Sequence, residues 1–479
     1  MLTPLPAQKW TFRTAAHLLN RAGFGAIPEE IEAAQRAGME ATVKNFLHPP
    51  ADPPAVEEDD APWRAPENLT LRRGKMRALR NQPDQPREKI REMANESREE
   101  LLEVGLWWLE RMRKGRAPLV EKMTLFWHGH FATSGQKIRN SYWMWRQNET
   151  FRRHALGNFS TLLHEISRDP AMMIYLDLAQ SKKSRPNENW AREVMELFTL
   201  GIGHYTEKDI RESARAFTGY RLNLRNQKFR YEPALHDAGR KTFLGQTGNF
   251  SGDDILDLIV QQPACPAWIA RKLCRFFVQD EPVDSLVSAV AGSLRKHDLE
   301  LRPVLQELFR AEEFYADAVI GAQIKSPIQF LVQACRLLES DLPPTRVTLG
   351  ALRQMGQIPL APPNVKGWDG GKSWINTSTL LFRYNFAHYL LSGTEGHPKA
   401  PAALRRAAVD LSQIAPARLR DDPAALVAWL SRWFYQAPAS PAQTATFLAY
   451  LKSKEPDRSD QTIRHLLHLM MSTPQYQLT

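Results

Sequence analysis

Apolar residues recur at spacings of three and four along almost the whole chain, most plainly in residues 11–24, 88–112, 253–262 and 264–278. That period gives each helix one apolar stripe and one polar face, and the stripes must be buried against other helices. An all-α fold follows, mainly helical and built as a single large multi-helix body. Strict alternation is scarce. It is clearest in residues 219–232, where Tyr220, Leu222 and Leu224, then Phe229 and Tyr231, alternate around a polar Arg-Asn-Gln turn. That period of two predicts a small inserted β-hairpin.

With 479 residues, 43% of them hydrophobic and 24% charged, the chain can bury a sizeable core, and disorder over most of its length is excluded. Its 63 Lys and Arg outnumber 53 Asp and Glu, a net charge of +10 that is spread along the sequence. This implies non-specific attraction to polyanions. A nucleic-acid role ranks behind other functions, because basic residues are not interleaved with aromatics along one element. Cys265, Cys274 and Cys335 sit in apolar helical contexts without the paired spacing of a zinc site, and read as small buried hydrophobes. No stretch reaches about 18 uninterrupted apolar residues, so no transmembrane segment is expected. The first ten residues, with Pro4 and Pro6, lack the apolar run of an export signal, which points to a soluble cytoplasmic protein.

Residues 1–392 read as a helical main body carrying all the candidate site motifs. Within it, residues 51–66 mix several prolines with Glu57-Glu58-Asp59-Asp60 and predict a flexible insertion; 81–86 is a second weakly structured stretch. The Gly- and Pro-rich residues 393–401 separate the body from a C-terminal helical subdomain, 393–479. Its helical segments are 402–411, 422–435 and 441–452, and its apolar end, 466–471, is expected to dock on the body.

The densest chemistry lies in residues 186–201. At about 100° per residue, Asn189, Arg192, Glu193 and Glu196 share one arc, while Trp190, Val194, Leu197 and Phe198 lie roughly opposite. Asn187 or Asn189 can cap this helix and Gly201 can close it. Glu193 and Glu196 can chelate a cation or divide acid and base roles, with Arg192 steadying a carboxylate or an anionic substrate. The plainer alternative is a solvated face with an Arg–Glu pair.

Further groups lie elsewhere. His128 and His130, two apart among aromatics, diverge by about 160° on an ideal helix, so one metal takes both only if Gly129 breaks it; otherwise one is a core histidine. His236 and Asp237 follow the predicted hairpin, where Asp237 can ligate, orient His236, or make an Asx turn before Gly239; Lys241 lies just beyond. Residues 361–376 offer Trp368, Trp374 and Asn376, either as a stacking and hydrogen-bonding platform for a sugar or aromatic ligand or as packed plugs of an Ω-like loop. Asp169 reads as a helix cap and Asp177 as a weaker site candidate. Nucleophile-elbow, zincin, phosphate-loop and dinucleotide motifs do not occur.

Five strings occur in order across nearly the whole chain: Ala15-Ala16-His17-Leu18-Leu19-Asn20-Arg21-Ala22-Gly23-Phe24-Gly25, Phe126-Trp127-His128-Gly129-His130-Phe131, Asn187-Glu188-Asn189-Trp190-Ala191-Arg192-Glu193, the block from His236-Asp237 to Lys241-Thr242-Phe243-Leu244-Gly245, and Pro362-Pro363-Asn364-Val365-Lys366-Gly367-Trp368. Together they resemble the bacterial family known as domain of unknown function 1800. The resemblance implies a mostly helical fold and places recurring family residues at His128, His130, Asn187, Asn189, Arg192, Glu193, Glu196, His236, Asp237, Lys241, Trp368 and Asn376. It implies no reaction. Many members carry an export signal, which makes a periplasmic location the alternative, and are encoded beside a second family, domain of unknown function 1501, an implied partner.

Two functions compete. One is a hydrolase or transferase acting on a carbohydrate-like or anionic substrate. Its cleft would unite Glu193, Glu196, Arg192, His236 and Asp237 with His128 and His130, the histidines holding a divalent metal ion as cofactor; Asn187, Asn189, Lys241, Trp368, Trp374 and Asn376 would bind substrate. The other is a non-catalytic helical binding or scaffold protein in which the same polar groups form a structural lattice.

Overall fold

The computed structural model describes residues 2–49, 87–223, 227–394, 401 and 405–479. The expected insertion at 51–66, the stretch 81–86, Leu224 with the tip of the predicted hairpin, and most of the 393–404 junction lie outside the described residues. Among those described, the chain is helical with two small antiparallel hairpins. In chain order come α1 (Phe12–Arg21), α2 (Pro28–Ala37), α3 (Met39–Leu47), α4 (Arg87–Lys114), α5 (Pro118–His130), α6 (Gly135–Ile138), α7 (Ser141–Arg153), α8 (Phe159–Ser167), α9 (Pro170–Tyr175), α10 (Glu188–Glu193) and α11 (Glu207–Ala216). The hairpins β1 (Tyr220–Asn223) with β2 (Lys228–Tyr231), and β3 (Lys241–Phe243) with β4 (Gln246–Gly248), follow. Then come α12 (Gly252–Val260), α13 (Ala264–Phe277), α14 (Asp284–Lys296), α15 (Leu301–Phe309), α16 (Pro327–Leu337), α17 (Thr345–Met355), α18 (Thr377–Ser392), α19 (Ala417–Arg420), α20 (Pro423–Phe434), α21 (Pro441–Ser453) and α22 (Asp460–Met471).

The first hairpin is the one the alternation predicts, with Tyr220 opposite Tyr231 and Leu222 opposite Phe229. The second was not legible, because its strands are three residues long and too short to show a period. It closes through Leu244 (φ 46°) and Gly245 (φ 81°), the two positive-φ positions of a tight hairpin turn. In the tail, α20, α21 and α22 form where apolar spacing expects helices. Residues 405–411, expected to be helical, are not. Their backbone bonds to the end of α18 instead, Thr394 N to Arg406 O and Val409 N to Leu391 O, while Val409 and Leu411 are buried. Burial in an extended path outweighs a helix preference worth only tenths of a kcal/mol per residue.

Two large apolar cores organise the described residues, beside a small cluster of Ala15, Ala16, Ala26 and Ile31 between α1 and α2. One gathers α3, the Leu119, Met123, Phe126 and Trp127 face of α5, and α8 through α15. The other gathers α4, the first turns of α7, and α16 through α22, so the tail shares its core with helices from the middle of the chain. Trp433 of α20 donates its indole N–H to Leu337 O, 2.8 Å away, across that core. Helices α5 and α7 contribute to both cores and form the seam between them. Cys265, Cys274 and Cys335 are free and buried, as expected of small hydrophobes. No helix among the described residues is long and apolar enough to cross a membrane.

Candidate functional site

Helix α5 is buried nearly all round, with Glu121, Lys122, Thr124, His128 and His130 among its buried residues, as suits an element lying between two cores. Pro118 starts it, and it runs unbroken through Gly129 to His130. His128 and His130 therefore diverge. The His128 Nε2 accepts the Leu360 N–H at 3.2 Å, which puts the ring proton on Nδ1, and Trp368 packs 5.6 Å from the ring. The His130 Nε2 lies 2.9 Å from Phe198 O; a carbonyl only accepts, so this nitrogen carries the proton and Nδ1 presents its lone pair to Lys272 Nζ at 3.2 Å. Burial drives the His128 pKa down to about 3, and burial with Lys272 holds His130 well below the usual histidine range. Both rings are neutral and both acceptor lone pairs are engaged, so the pair does not fit a shared metal. Among the described residues no group of three or more His, Cys, Asp or Glu is placed to hold one.

A loop instead packs directly against the Gly129 carbonyl. Gly367, at φ +85°, passes so close that a Cβ there would lie 2.2 Å from Gly129 O. That approach brings Trp368 onto α5 and, with the turn at Gly371–Trp374, closes one side of a cavity of about 320 Å³. The remaining wall comes from α5 (Lys122, Phe126, His130), α13 (Trp268, Lys272, Arg275, Phe276) and the start of α16 (Ser326, Gln329), with Asp280 and Asp369 at its edge. Four basic side chains, Lys122, Lys272, Arg275 and Lys366, thus face two carboxylates, and Asp369 is spent on Lys366 at 2.7 Å.

Two of these lysines, the buried Lys122 and the half-buried Lys272, have no ion-pair partner among the described residues. Lys122 Nζ donates to Gly23 O at 3.0 Å and lies 4.9 Å from the centre of the Phe24 ring. Lys272 Nζ donates to Leu197 O at 2.9 Å and to His130. Burial lowers both to about 7, helped by Arg21 for Lys122 and by Arg275 and Lys366 for Lys272. Neither was singled out from the sequence, yet a signal exists: Trp268, Lys272 and Phe276 stand four apart on α13, as do Lys122, Phe126 and His130 on α5.

The central motif reaches this cavity through its backbone. Past Glu193 the helix widens into a π-helix, Val194–Thr199, an arrangement that leaves main-chain groups for side chains to use. Leu197 O accepts from Trp268 Nε1 and Lys272 Nζ, both at 2.9 Å, and Phe198 O from His130. Of the arc expected to be apolar, Trp190, Val194 and Phe198 are fully buried, while Leu197 is half-buried and lines the cavity.

Its polar face looks elsewhere. Asn187 caps α10, its Oδ1 accepting from Asn189 N at 2.8 Å, and Asn189 is exposed. Arg192 forks onto both oxygens of Glu207 at 2.8 and 2.9 Å rather than onto Glu193 or Glu196, and about a third of its side chain is exposed. Glu196 accepts from Tyr205 Oη at 3.0 Å. Glu193 is half-buried, and burial together with Glu196 holds its carboxyl above the usual range.

At the far end of α11, Arg215 clasps Asp237 at 2.7 Å and Glu212 at 2.9 Å. Asp237 Oδ1 also accepts from Gly239 N, the Asx turn; His236 Nδ1 donates to Thr218 O at 2.9 Å. Lys241 Nζ staples the loop through Asp237 O and Gly239 O. The eight residues from Glu207 to Arg215 set the two ion-pair groups about 12 Å apart along α11. Neither group lines the cavity. Asn376 Oδ1 caps α18 through Thr379 N, while Trp374 and Trp368 do line it. Asp169 does more than cap α9: its Oδ1 accepts from Met172 N and from Gln147 Nε2, and burial raises its pKa to about 6. Asp177 stands at φ 58°, 3.9 Å from Lys137.

Fold and site define a mainly helical protein whose two cores meet at a basic cavity walled by tryptophan. The family described as "Protein of unknown function (DUF1800)" matches residues 17–478, and the chain belongs to it. No curated protein and no solved structure matches the chain.

Proposed function

We propose that the protein binds a small anionic molecule bearing a flat or sugar ring in the cavity between α5, α13 and the loop of Gly367 and Trp374. One observation carries this reading: indole rings of Trp268, Trp368 and Trp374 line the same cavity as an excess of basic side chains, of which Lys122 is buried and Lys272 half-buried with no carboxylate paired to either among the described residues. A buried cation with no counter-ion is costly, and an incoming anion relieves that cost while the rings take the apolar face of the ligand. The cavity volume lies at the small end of the range for small-molecule sites.

Titration of tryptophan fluorescence with phenylacetate and with glucuronate tests it. Saturable quenching by either, weakened at least about tenfold by Trp368→Ala through loss of the stacking surface, is the expected result. No saturable change with either anion, in protein whose thermal melt is intact, refutes it.

A second reading, a hydrolase or transferase using Glu193 and Glu196 as acid and base, is favoured by the raised carboxyl of Glu193 beside a second carboxylate. It needs no metal at His128 and His130. Loss of turnover in Glu193→Gln with cavity binding intact would support it over the cavity reading. A domain of unknown function 1501 partner and a cytoplasmic location belong to the same proposal, and co-purification and cell fractionation test them.

A further inference from the structure

We infer that Lys272 is a nucleophile in this cavity, placed to condense with the carbonyl group of an anionic, ring-bearing 2-oxo acid or aldehyde as a Schiff base. This rests on the cavity being the ligand site and adds the ligand's reactive group. The argument starts at the π-helix. By leaving Leu197 O and Phe198 O to side chains, it fixes two acceptors around one amine: Leu197 O at 2.9 Å, and the Nδ1 lone pair of His130, whose other nitrogen is committed to Phe198 O. A neutral amine has two N–H bonds and one lone pair. Both N–H bonds are spent on these acceptors, so the lone pair takes the remaining direction on a side chain that lines the cavity.

Among the described residues no carboxylate pairs with Lys272 to hold it as an ammonium ion. An ordinary structural lysine would have one or lie in water; this amine is held by neutral acceptors beside Trp268, whose ring centre is 5.1 Å away. Arg275 lines the same cavity for a ligand carboxylate, and Trp368 for its ring.

The chemistry is self-contained. The nitrogen lone pair forms the C–N bond as the C=O π bond breaks, and one amine proton passes to that oxygen. The hydroxyl then leaves as water with the second amine proton, and C=N forms; no oxidant or reductant enters.

The test uses the full chain with phenylpyruvate and cyanoborohydride, which reduces the imine to a stable amine, followed by peptide mapping. Lys272 should be labelled at least about tenfold faster than the exposed Lys366 and Lys372, as expected of a desolvated amine. Labelling should saturate with phenylpyruvate and be slowed by phenylacetate, which has the ring and carboxylate but no keto group. Lys272→Arg, which keeps a donor for Leu197 O, should remove the adduct while the thermal melt stays intact. Labelling spread evenly over exposed lysines, or saturable phenylacetate binding without a Lys272 adduct, overturns the inference and leaves the cavity reading standing. Absence of the adduct together with absence of saturable quenching by both phenylacetate and glucuronate overturns the two together.

Discussion

Replacing Lys122 with methionine should change how stability depends on pH, and the size of the change follows from its surroundings. The Lys122 amine is buried on α5 with Gly23 O as its hydrogen-bond acceptor, the Phe24 and Phe276 rings 4.9 and 5.8 Å away, and Arg21 as the charged neighbour that lowers it. Burial brings its pKa to about 7, against an ordinary value of 10.5 in the unfolded chain. Between those two values the unfolded state holds the proton and the folded state has released it, so wild-type stability rises with pH across this window. The slope from one such group is at most about 1.4 kcal/mol per pH unit, and the span suggests a total on the order of 4 kcal/mol. Methionine keeps the hydrocarbon length and removes the titration, at the expense of roughly 1–3 kcal/mol for leaving Gly23 O unpaired. Urea unfolding at intervals from pH 7 to 10 should therefore show a shallower rise in the variant, its relative stability being best at pH 7 and declining upward. Parallel wild-type and variant curves would refute the claim that burial without a counter-charge makes Lys122 release its proton in the folded state. Lys272 and Lys325, also lowered to about 7 by burial, contribute their own slopes to both proteins and cancel in the comparison.

Gly367→Ala should destabilise by roughly 2–4 kcal/mol, from a left-handed backbone and a Cβ driven onto Gly129 O, and should weaken phenylacetate binding in the same fluorescence titration. Glu121→Gln should lower unfolding free energy by about 3–5 kcal/mol, since Glu121 accepts from Arg152, Arg111 and the Trp108 indole in a buried network that would be left with uncompensated guanidinium charge; a loss under about 1 kcal/mol in urea would contradict that account. Glu193→Gln removes a carboxylate that burial and Glu196 both disfavour, so its melting temperature at pH 7 should equal or exceed wild type; a lower one would mean that Glu193 holds a partner the geometry does not show.

Much of the fold was legible because helix periodicity is a local property: α1, α4, α12 and α13 begin and end within a few residues of where apolar spacing places them. The first hairpin was legible for the same reason, its strands being long enough to show alternation. Residues 405–411 were misread because their path is set by Leu391 and Thr394, partners that local pattern does not contain. Within the site, Trp368 and Trp374 were found because tryptophans beside glycines stand out in any sequence. Lys122 and Lys272 were missed because a lysine next to hydrophobes ordinarily reads as a helix surface position that snorkels to water.

The order of residues alone determined where most of the helices lie, which of their faces are apolar, and that Asn187 or Asn189 can cap the central helix, which Asn187 does. Each of these depends on neighbours within one or two turns. Tertiary structure alone decided the rest: that Arg192 turns to Glu207, that Arg215 takes Asp237, and that α5, α13 and a loop more than two hundred residues beyond α5 enclose two unpaired amines beside tryptophan. Such pairings depend on which distant surfaces meet when two cores close, and on the low dielectric they create. Hydrophobic spacing drives that closure without specifying which polar groups it traps together.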